Sequence, residues 1–495
     1  MPVALGVNGG ILGSNNLPSS GSAKGIWTPN EIARAVGLGF WPLVYARTVT
    51  ETSSGADNIS TRSTDPFFEY TTLLLPGNGT NGAQNNTFLD SSSNNFTITR
   101  NPTAGPNAPT QGTFSPFSQT GWGNYFDGSG DYLTSPSSSA YLPSTTTTPF
   151  TLECWVYNTG TSTTTLYSAL ALVNYGFVLG FGSATGTYDS TATPWFGYFS
   201  GSWSGIRSTV SIPINAWTHI ACVFTGSTCL IFQDGVQTAS GGPSTWPSFA
   251  ASVLRIGCRP DAINTFTGYI SNVRIVVGTA VYTSAFTPPT APLTAISGTS
   301  LLTCQSNRFI DNSTNNFTIT RNGDTSVVAF SPFNPAASWS AATYGGSGYF
   351  DGSGDYLDPP SNSAFQFGTG DFCLEGWIYP TDTTNRAICG QRTGSSGNNS
   401  WVLSCNPTNA SSLGYVYFHT DNTAVFGSSV AINTNAWTHV VFTCVSGRYR
   451  IFQNGILSGT TLGSYNFNQT TGPRLGSEIR TTAGAAAAFL GWMSG

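Results

Sequence analysis

The chain has 495 residues and a formal net charge of −5, and charged residues make up only 8% of it, against roughly 25% in an average soluble domain. With no basic run there is no electrostatic footprint for a phosphate backbone or an anionic membrane, so nucleic acid is excluded as an expected partner. No window of about 18 apolar residues is present, which excludes a membrane-inserted helix, and Met1 to Asn16 lacks the basic flank and apolar block of a secretory signal.

Residues 1–65 are set apart by a helix signature. Thr28-Pro29-Asn30-Glu31 offers an N-cap, a proline in the first turn and a capping-box acid; Ile32, Ala33, Ala35 and Val36 follow before Gly37 and Gly39 stop the helix. The Gly/Asn/Ser-rich arm before it cannot bury enough surface to fold alone and is expected to order against a partner.

From residue 70 onward the pattern is short alternating strands between Gly, Asn, Ser and Pro turns, an all-β region. It is a duplication. Phe126-Asp127-Gly128-Ser129-Gly130-Asp131-Tyr132-Leu133 recurs identically as Phe350 to Leu357, about 220 residues later, far beyond the period of a solenoid. Before it, Asn94-Asn95-Phe96-Thr97-Ile98-Thr99-Arg100 matches Asn315 to Arg321. After it, Leu152-Glu153-Cys154-Trp155-Val156-Tyr157 matches Leu374 to Tyr379, and Asn215-Ala216-Trp217-Thr218-His219 matches Asn435 to His439. Ile231-Phe232-Gln233-Asp234-Gly235 then matches Ile451 to Gly455.

Two consecutive antiparallel β-sandwich domains are therefore expected, at 70–290 and 296–495, behind the 1–65 segment. Gly491-Trp492-Met493-Ser494 aligns with Gly268-Tyr269-Ile270-Ser271, after which the first copy runs on into Val273-Arg274-Ile275-Val276. The closing strand of the second copy is thus expected to be missing and the natural chain to be longer. The nine cysteines do not recur at equivalent places, Cys154 aligning with Gly376 and Cys222 with Phe442; they read as buried free thiols made in a reducing cytoplasm.

These motifs, in this order and twice over, resemble the laminin-G-like, or concanavalin A-like, jelly-roll family, whose fold is a sandwich of two curved antiparallel sheets. The Asn-Asn-Phe-Thr-Ile-Thr-Arg lead-in is most similar to versions found in phage virion proteins. Gly25-Ile26-Trp27-Thr28-Pro29-Asn30-Glu31 with Gly39-Phe40-Trp41-Pro42 resembles a module near the N-termini of tailed-phage structural proteins. That resemblance implies virion docking through Trp27, Glu31, Phe40 and Trp41.

In the octapeptide, Gly-Ser-Gly makes a tight turn, the aromatics pack and the aspartates bond turn amides. Its sharper alternative is calcium held by Asp127 and Asp131, and by Asp351 and Asp355, although two carboxylates supply few of the six to eight oxygens that calcium takes. His219 and His439 read as structural residues of core strands, and Glu153 and Glu375 as single carboxylates. Laminarinase-type hydrolases need a carboxylate pair about 5 to 5.5 Å apart, delivered as Glu-x-Asp-x-Glu, and no such run occurs, so catalysis is not expected. Binding through aromatic loop residues remains, with Trp195, Trp203, Trp339 and Trp401 as the candidates for an uncharged saccharide.

The expectation is a tailed-phage virion protein of tail-fibre type. It is assembled in the host cytoplasm, homotrimeric by analogy, docked by residues 1–65 and displaying its jelly rolls to host polysaccharide, with no cofactor. Head decoration, a polysaccharide-degrading enzyme and a secreted cellular adhesin are the alternatives.

Overall fold

The computed structural model describes residues 68–77, 87–101, 109–112, 117–118, 120–159, 168–181, 192–262, 265–333, 345–382, 384, 386–391, 400–405, 414–420, 423–477 and 488–494. The helix expected over 28–36 and the docking residues Trp27, Glu31, Phe40 and Trp41 lie outside them, as does Trp339.

The fold is antiparallel β, as the alternation predicts, with short 3-10 turns as its helical elements among the described residues. In the strand Phe150–Asn158, Leu152, Cys154 and Val156 point into the space between two sheets, while Glu153, Trp155 and Tyr157 take the opposite face. Ile220, Cys222 and Phe224 of the neighbouring Trp217–Phe224 strand, together with Leu170, Leu172 and Phe196 from the opposite sheet, close the same core. Trp246 anchors it: its Nε1 donates to the Gly176 carbonyl at 2.9 Å, and Phe150, Phe196, Tyr198 and Phe224 surround its ring at 4.8 to 5.6 Å. In the second core Phe418 stacks on Phe442 and Tyr449 and meets Phe467 edge-on.

Two repeated motifs turn out to be halves of one device. Asp234-Gly235 and Asn454-Gly455 sit at φ 45° and 78° and at φ 52° and 81°, the geometry of a two-residue type I′ hairpin. The turn side chain then reaches across the sheet. Asp234 Oδ1 accepts from the His219 backbone N–H at 2.8 Å, and Asn454 Oδ1 from that of His439 at 3.0 Å. The Trp-Thr-His strand and the Phe-Gln-Asp/Asn-Gly turn are therefore linked by a side chain that either Asp or Asn supplies.

All nine cysteines are free, and most are buried as expected; Cys373 is the correction, being exposed, and Cys389 is half-buried. Cys373 stands at the start of Phe372–Pro380, whose partner Leu490–Ser494 pairs with it only over Trp377–Pro380. Among the described residues its first half has no neighbour on that side. The equivalent stretch of the first copy, Phe150–Glu153, differs, because Val277 and Val276 stand opposite Phe150 and Thr151 there.

Sheet membership cuts across the sequence repeat. The strands Thr320–Asn322 and Ser326–Val328, which precede the second octapeptide, pair with Tyr132–Ser138 and Gly123–Asp127 of the first copy. The matching strands Thr99–Asn101 and Thr110–Gly112, which precede the first octapeptide, pair with Tyr356–Asp358 and Ser347–Asp351 of the second copy. Each lead-in thus completes the sandwich of the other repeat. Leu75 and Phe88 from the first lead-in lie in the second core, and Phe309 from the second lead-in lies in the first.

A buried aspartate clips each lead-in into shape. Asp90 accepts from the amides of Leu74, Ser92 and Phe96 and from the Ser92 hydroxyl. Asp311 accepts from Leu302, Ser313 and Phe317 and from the Ser313 hydroxyl, position for position. Removing either carboxylate strands several buried donors, at a cost of about 2–4 kcal/mol. Asp90→Ala, a change in the first repeat, is therefore expected to loosen the second sandwich. In amide hydrogen exchange, Ser347–Asp351 and Tyr356–Asp358 should exchange at least about tenfold faster, with Gly123–Asp127 and Tyr132–Ser138 unchanged; the reverse pattern would contradict the crossed pairing.

Candidate functional site

The strands Ser168–Leu172, Val178–Phe181, Pro194–Phe199 and Trp203–Arg207 form one end of a sheet in the first sandwich. They turn Leu170, Leu179 and Phe196 inward, so Ala171, Val178 and Trp195 fall on the outer face, where they form a small cluster of their own with Tyr175 and Trp203 packed against it. The Trp195 indole lies across Gly197. A Cβ at that position would stand 2.7 Å from Trp195 Cζ2 and 2.2 Å from the Ser204 carbonyl oxygen, so glycine is required for the ring to lie there. Trp203 meets Trp195 edge-on at 5.1 Å, Phe199 at 5.2 Å and Tyr175 at 5.4 Å.

Tyr175 comes from the turn between two of these strands, at φ 59°, and its carbonyl accepts the Phe199 amide at 3.2 Å, which sets the turn beside the patch. Phe199 is 38% exposed and Trp203 half-buried, whereas Trp195 forms the buried floor, its Nε1 without a hydrogen-bond partner. Arg207 stands opposite Trp195 in the sheet and donates from Nε to Thr193 Oγ1 at 2.6 Å. Aromatic faces with a polar rim are what an uncharged ring with apolar C–H faces needs for stacking. Trp195 and Trp203, picked from sequence, are thus brought together; Tyr175 and Phe199 were missed, although the Trp-Phe-Gly-Tyr-Phe run at 195–199 carries the alternation that places Phe199 beside Trp195.

The second sandwich lacks this patch among the described residues. Trp401, expected to offer a ring to a ligand, is a core residue: its strand turns Trp401, Leu403 and Cys405 inward, its Nε1 donates to Gln391 Oε1 at 3.0 Å, and Phe367 stacks on it. On the outer face stand Tyr417 and His419, with His419 Nε2 3.0 Å from Ser404 Oγ.

The octapeptide proves to be a turn clamp. Gly128 and Gly130 take φ 87° and 78°, and Gly352 and Gly354 φ 80° and 82°. Asp127 Oδ1 accepts from the Ser129 amide and Asp131 Oδ2 from the Asp127 amide; Asp351 and Asp355 repeat both bonds. In the first copy a third acid arrives from the lead-in, and Asp127, Asp131 and Asp324 bring their carboxylate oxygens within 4.8 Å of one another. Asp131 nevertheless uses its second oxygen on the Asp324 amide at 2.7 Å. It is buried and fully engaged in the turn, so the trio fits calcium poorly, and in the second copy Thr103 aligns with Asp324. The same engagement leaves Asp131 unsuited to act as one of a hydrolytic pair.

Residues 127–281 and 351–494, more than half of the chain, match the laminin-G model of the concanavalin A-like lectin/glucanases superfamily. The chain belongs to that superfamily. No curated protein matches it. Among solved structures, a Bacteroides ovatus protein described as carbohydrate binding is 16% identical at a TM-score of 0.32; the alignment covers 43% of this chain and 62% of that one. The LG4-5 domains of the mouse laminin alpha1 chain are 13% identical at a TM-score of 0.25, over 77% of this chain and 88% of that one. Domain 4 of an extracellular arabinanase from Geobacillus stearothermophilus, solved with arabinotriose, is 21% identical at a TM-score of 0.25, over 39% and 87%.

In the first lectin/glucanase-type sandwich, Glu153 has no second carboxylate among its partners, and its own oxygens are fully engaged. Strand pairing brings up Arg274 and His219, and the segment after Thr267–Val277 adds Tyr282: Arg274 donates to Oε1 from Nη2 at 2.6 Å and Nε at 2.8 Å, while His219 Nε2 and the Tyr282 hydroxyl lie 3.2 and 2.9 Å from Oε2. Burial alone pushes the Glu153 carboxyl up, but His219 and Arg274 overcome it and hold the group below the ordinary carboxylate value. His219, enclosed by Trp155, Tyr282 and Phe286, is structural as expected. In the second lectin/glucanase-type sandwich, Glu375 is mostly exposed and stands 3.8 Å from His439.

The turn aspartates make the fold sensitive to pH. Burial pushes the Asp131 carboxyl up to about 6 and that of Asp355 up to about 7, and Asp355 Oδ1 has no hydrogen-bond partner. Both folded values lie above the unfolded one near about 4, so the folded state binds protons more tightly and loses stability as pH rises from about 4 through 7. Asp355→Asn is expected to raise the melting temperature at pH 8 by a few degrees and to leave it nearly unchanged at pH 3, below the unfolded value. Thermal unfolding followed by circular dichroism at the two pH values checks this, and an equal shift at both would refute it.

Proposed function

We propose that this chain is a carbohydrate-binding adhesion protein without catalytic activity, and that the Tyr175, Trp195, Phe199 and Trp203 patch is its saccharide site. The observation that carries the reading is the Trp195–Trp203 pair, held at 5.1 Å on an outer sheet face with Phe199 open to solvent. Membership in a superfamily of lectins and glucanases supports it. The choice of binding over hydrolysis rests on the acids of the octapeptide being tied into their turn.

The low charge favours a neutral glycan over a sulfated or phosphorylated one. A glycan array probed with the full chain should give saccharide binding that Trp203→Ala weakens about tenfold or more while the melting temperature holds, because Trp203 lies outside the main core. No binding, or binding indifferent to Trp203, would overturn the site. Release of reducing ends from a bound polysaccharide would overturn the non-catalytic reading.

The setting we infer is a tailed-phage particle, with residues 1–65 docking on the virion and the sandwiches turned outward. Its support is the resemblance of Gly25 to Pro42, with Trp27, Glu31, Phe40 and Trp41, to phage docking segments. A cryo-EM map of the particle should show that segment inserted in a neighbouring virion protein. Sandwiches making the virion contacts with residues 1–65 in solvent would reverse the polarity.

A further inference from the structure

The two sandwiches bury the same sheet face to different depths. In the first, Phe232, Ala221, Glu153 and Arg274 stand opposite one another in a row across four paired strands. The segment after Thr267–Val277 folds back over that row. Tyr282 and Phe286 stack at 3.7 Å, and Phe286 lies 5.5 Å from Phe232 and 5.7 Å from His219. The Phe286 amide donates to the Gly235 carbonyl at 3.0 Å, and the Val281 amide donates to Thr151 Oγ1 at 2.9 Å. Ala221, Val223 and Phe232 are fully buried beneath this cover.

The second sandwich carries the matching row uncovered. Phe452 stands opposite Val441 and Val441 opposite Glu375, but among the described residues no strand takes the place of Arg274 beside Glu375. Val441 and Phe452 are half-buried, Cys373 is exposed, and the Glu375 side chain is 64% exposed. The hairpin glycines show the same contrast. Gly235 lies so close to the Phe286 carbonyl oxygen that no Cβ would fit, whereas a Cβ on Gly455, at nearly the same φ, would meet nothing within 4 Å.

We propose that this outer face of the second sandwich is a docking site for a partner polypeptide. The partner adds a strand beside Phe372–Gly376, meets Glu375 with an arginine, and lays two aromatic rings, spaced from that arginine as Tyr282 and Phe286 are from Arg274, over Phe452 and His439. Three observations select that occupant. The open strand edge takes a strand, because its backbone groups are satisfied by pairing. The exposed Glu375 carboxylate, at the end of an apolar row, takes a cation, and the guanidinium fork already fits the matching carboxylate of Glu153. The space above Gly455 admits a backbone where Gly235 receives one. Arg450 and Cys373 stand where the first copy has Leu230 and Thr151, so the partner is more polar than residues 273–286. That segment is nonetheless the probe whose geometry is known.

The test adds a synthetic peptide with the sequence of residues 273–288 to the full chain, with a scrambled peptide as control. Alkylation of Cys373 by iodoacetamide, located by mass spectrometry, reports whether the face is covered. The peptide should slow that reaction saturably, and the scrambled peptide should not. Arg274→Glu in the peptide should raise the concentration for half-protection about tenfold, and Phe286→Ala in the peptide by a similar factor, about tenfold. Glu375→Arg in the chain should restore protection by the Arg274→Glu peptide. Absence of protection by the peptide, equal protection by the scrambled one, or indifference to charge reversal overturns the proposal. So does protection of Cys373 by rising chain concentration alone or by a saccharide, with none from the peptide, since another occupant then holds the face. The peptide substitutions carry the test if the Glu375→Arg chain does not fold.

Discussion

An antiparallel sandwich must do something with the outer edges of its sheets, because a free strand edge pairs with whatever strand reaches it. Here the strands at risk are Tyr132–Ser138 and Gly123–Asp127 in one copy and Tyr356–Asp358 and Ser347–Asp351 in the other. Each is covered by a short strand from the opposite repeat. Short strands of this kind bring little cohesion on their own. The lead-ins therefore carry the Asp90 and Asp311 clips, which hold the strap in the shape its partner edge requires, and they plant Phe88 and Phe309 in the cores. The rest of the arrangement follows from this cover: the octapeptide turn keeps its register, and the sheet faces beyond it remain available.

The first sandwich also buries a carboxylate, which is costly unless every oxygen is met. Glu153 is met three ways, by Arg274, His219 and Tyr282, and the Arg274 contact exists because Thr267–Val277 runs on beside Phe150–Asn158. At the matching position of the second copy, Glu375 is mostly exposed and stands 3.8 Å from His439.

Much of the fold was legible in the sequence. The duplicated motifs, their strand alternation and the Asp/Asn-Gly turns all carry local signals, and the lead-in motif was visible as a repeat. What could not be read was where that lead-in would dock, since Asn94 to Arg100 and Asn315 to Arg321 are identical and their local sequence is equally compatible with either sandwich. The partners of Glu153 were hidden for a similar reason: Arg274 lies more than a hundred residues away, and only the sheet register brings them together. The site was half legible. Trp195 and Trp203 stood out as aromatics, but Trp401 looked the same in sequence and faces the other way, because inward and outward positions on a short strand differ by one residue of register.

That one-residue rule also explains why the two copies, alike in their structural motifs, differ on the outer faces of their sheets. The inward positions are constrained by the core, so Phe196 and Tyr198 on one strand and Val416 and Phe418 on its counterpart all pack inside. The outward positions carry no such constraint. There the first copy places Trp195 over Gly197 and adds Trp203, while the second places Tyr417 beside Gly427 and pairs His419 with Ser404. A flat indole needs the missing Cβ beneath it and a second ring beside it, and the first copy has both. The duplicated turn around which the chain is built is therefore scaffold, and the chemistry that distinguishes one sandwich from the other lies on the sheet face that the duplication left free to change.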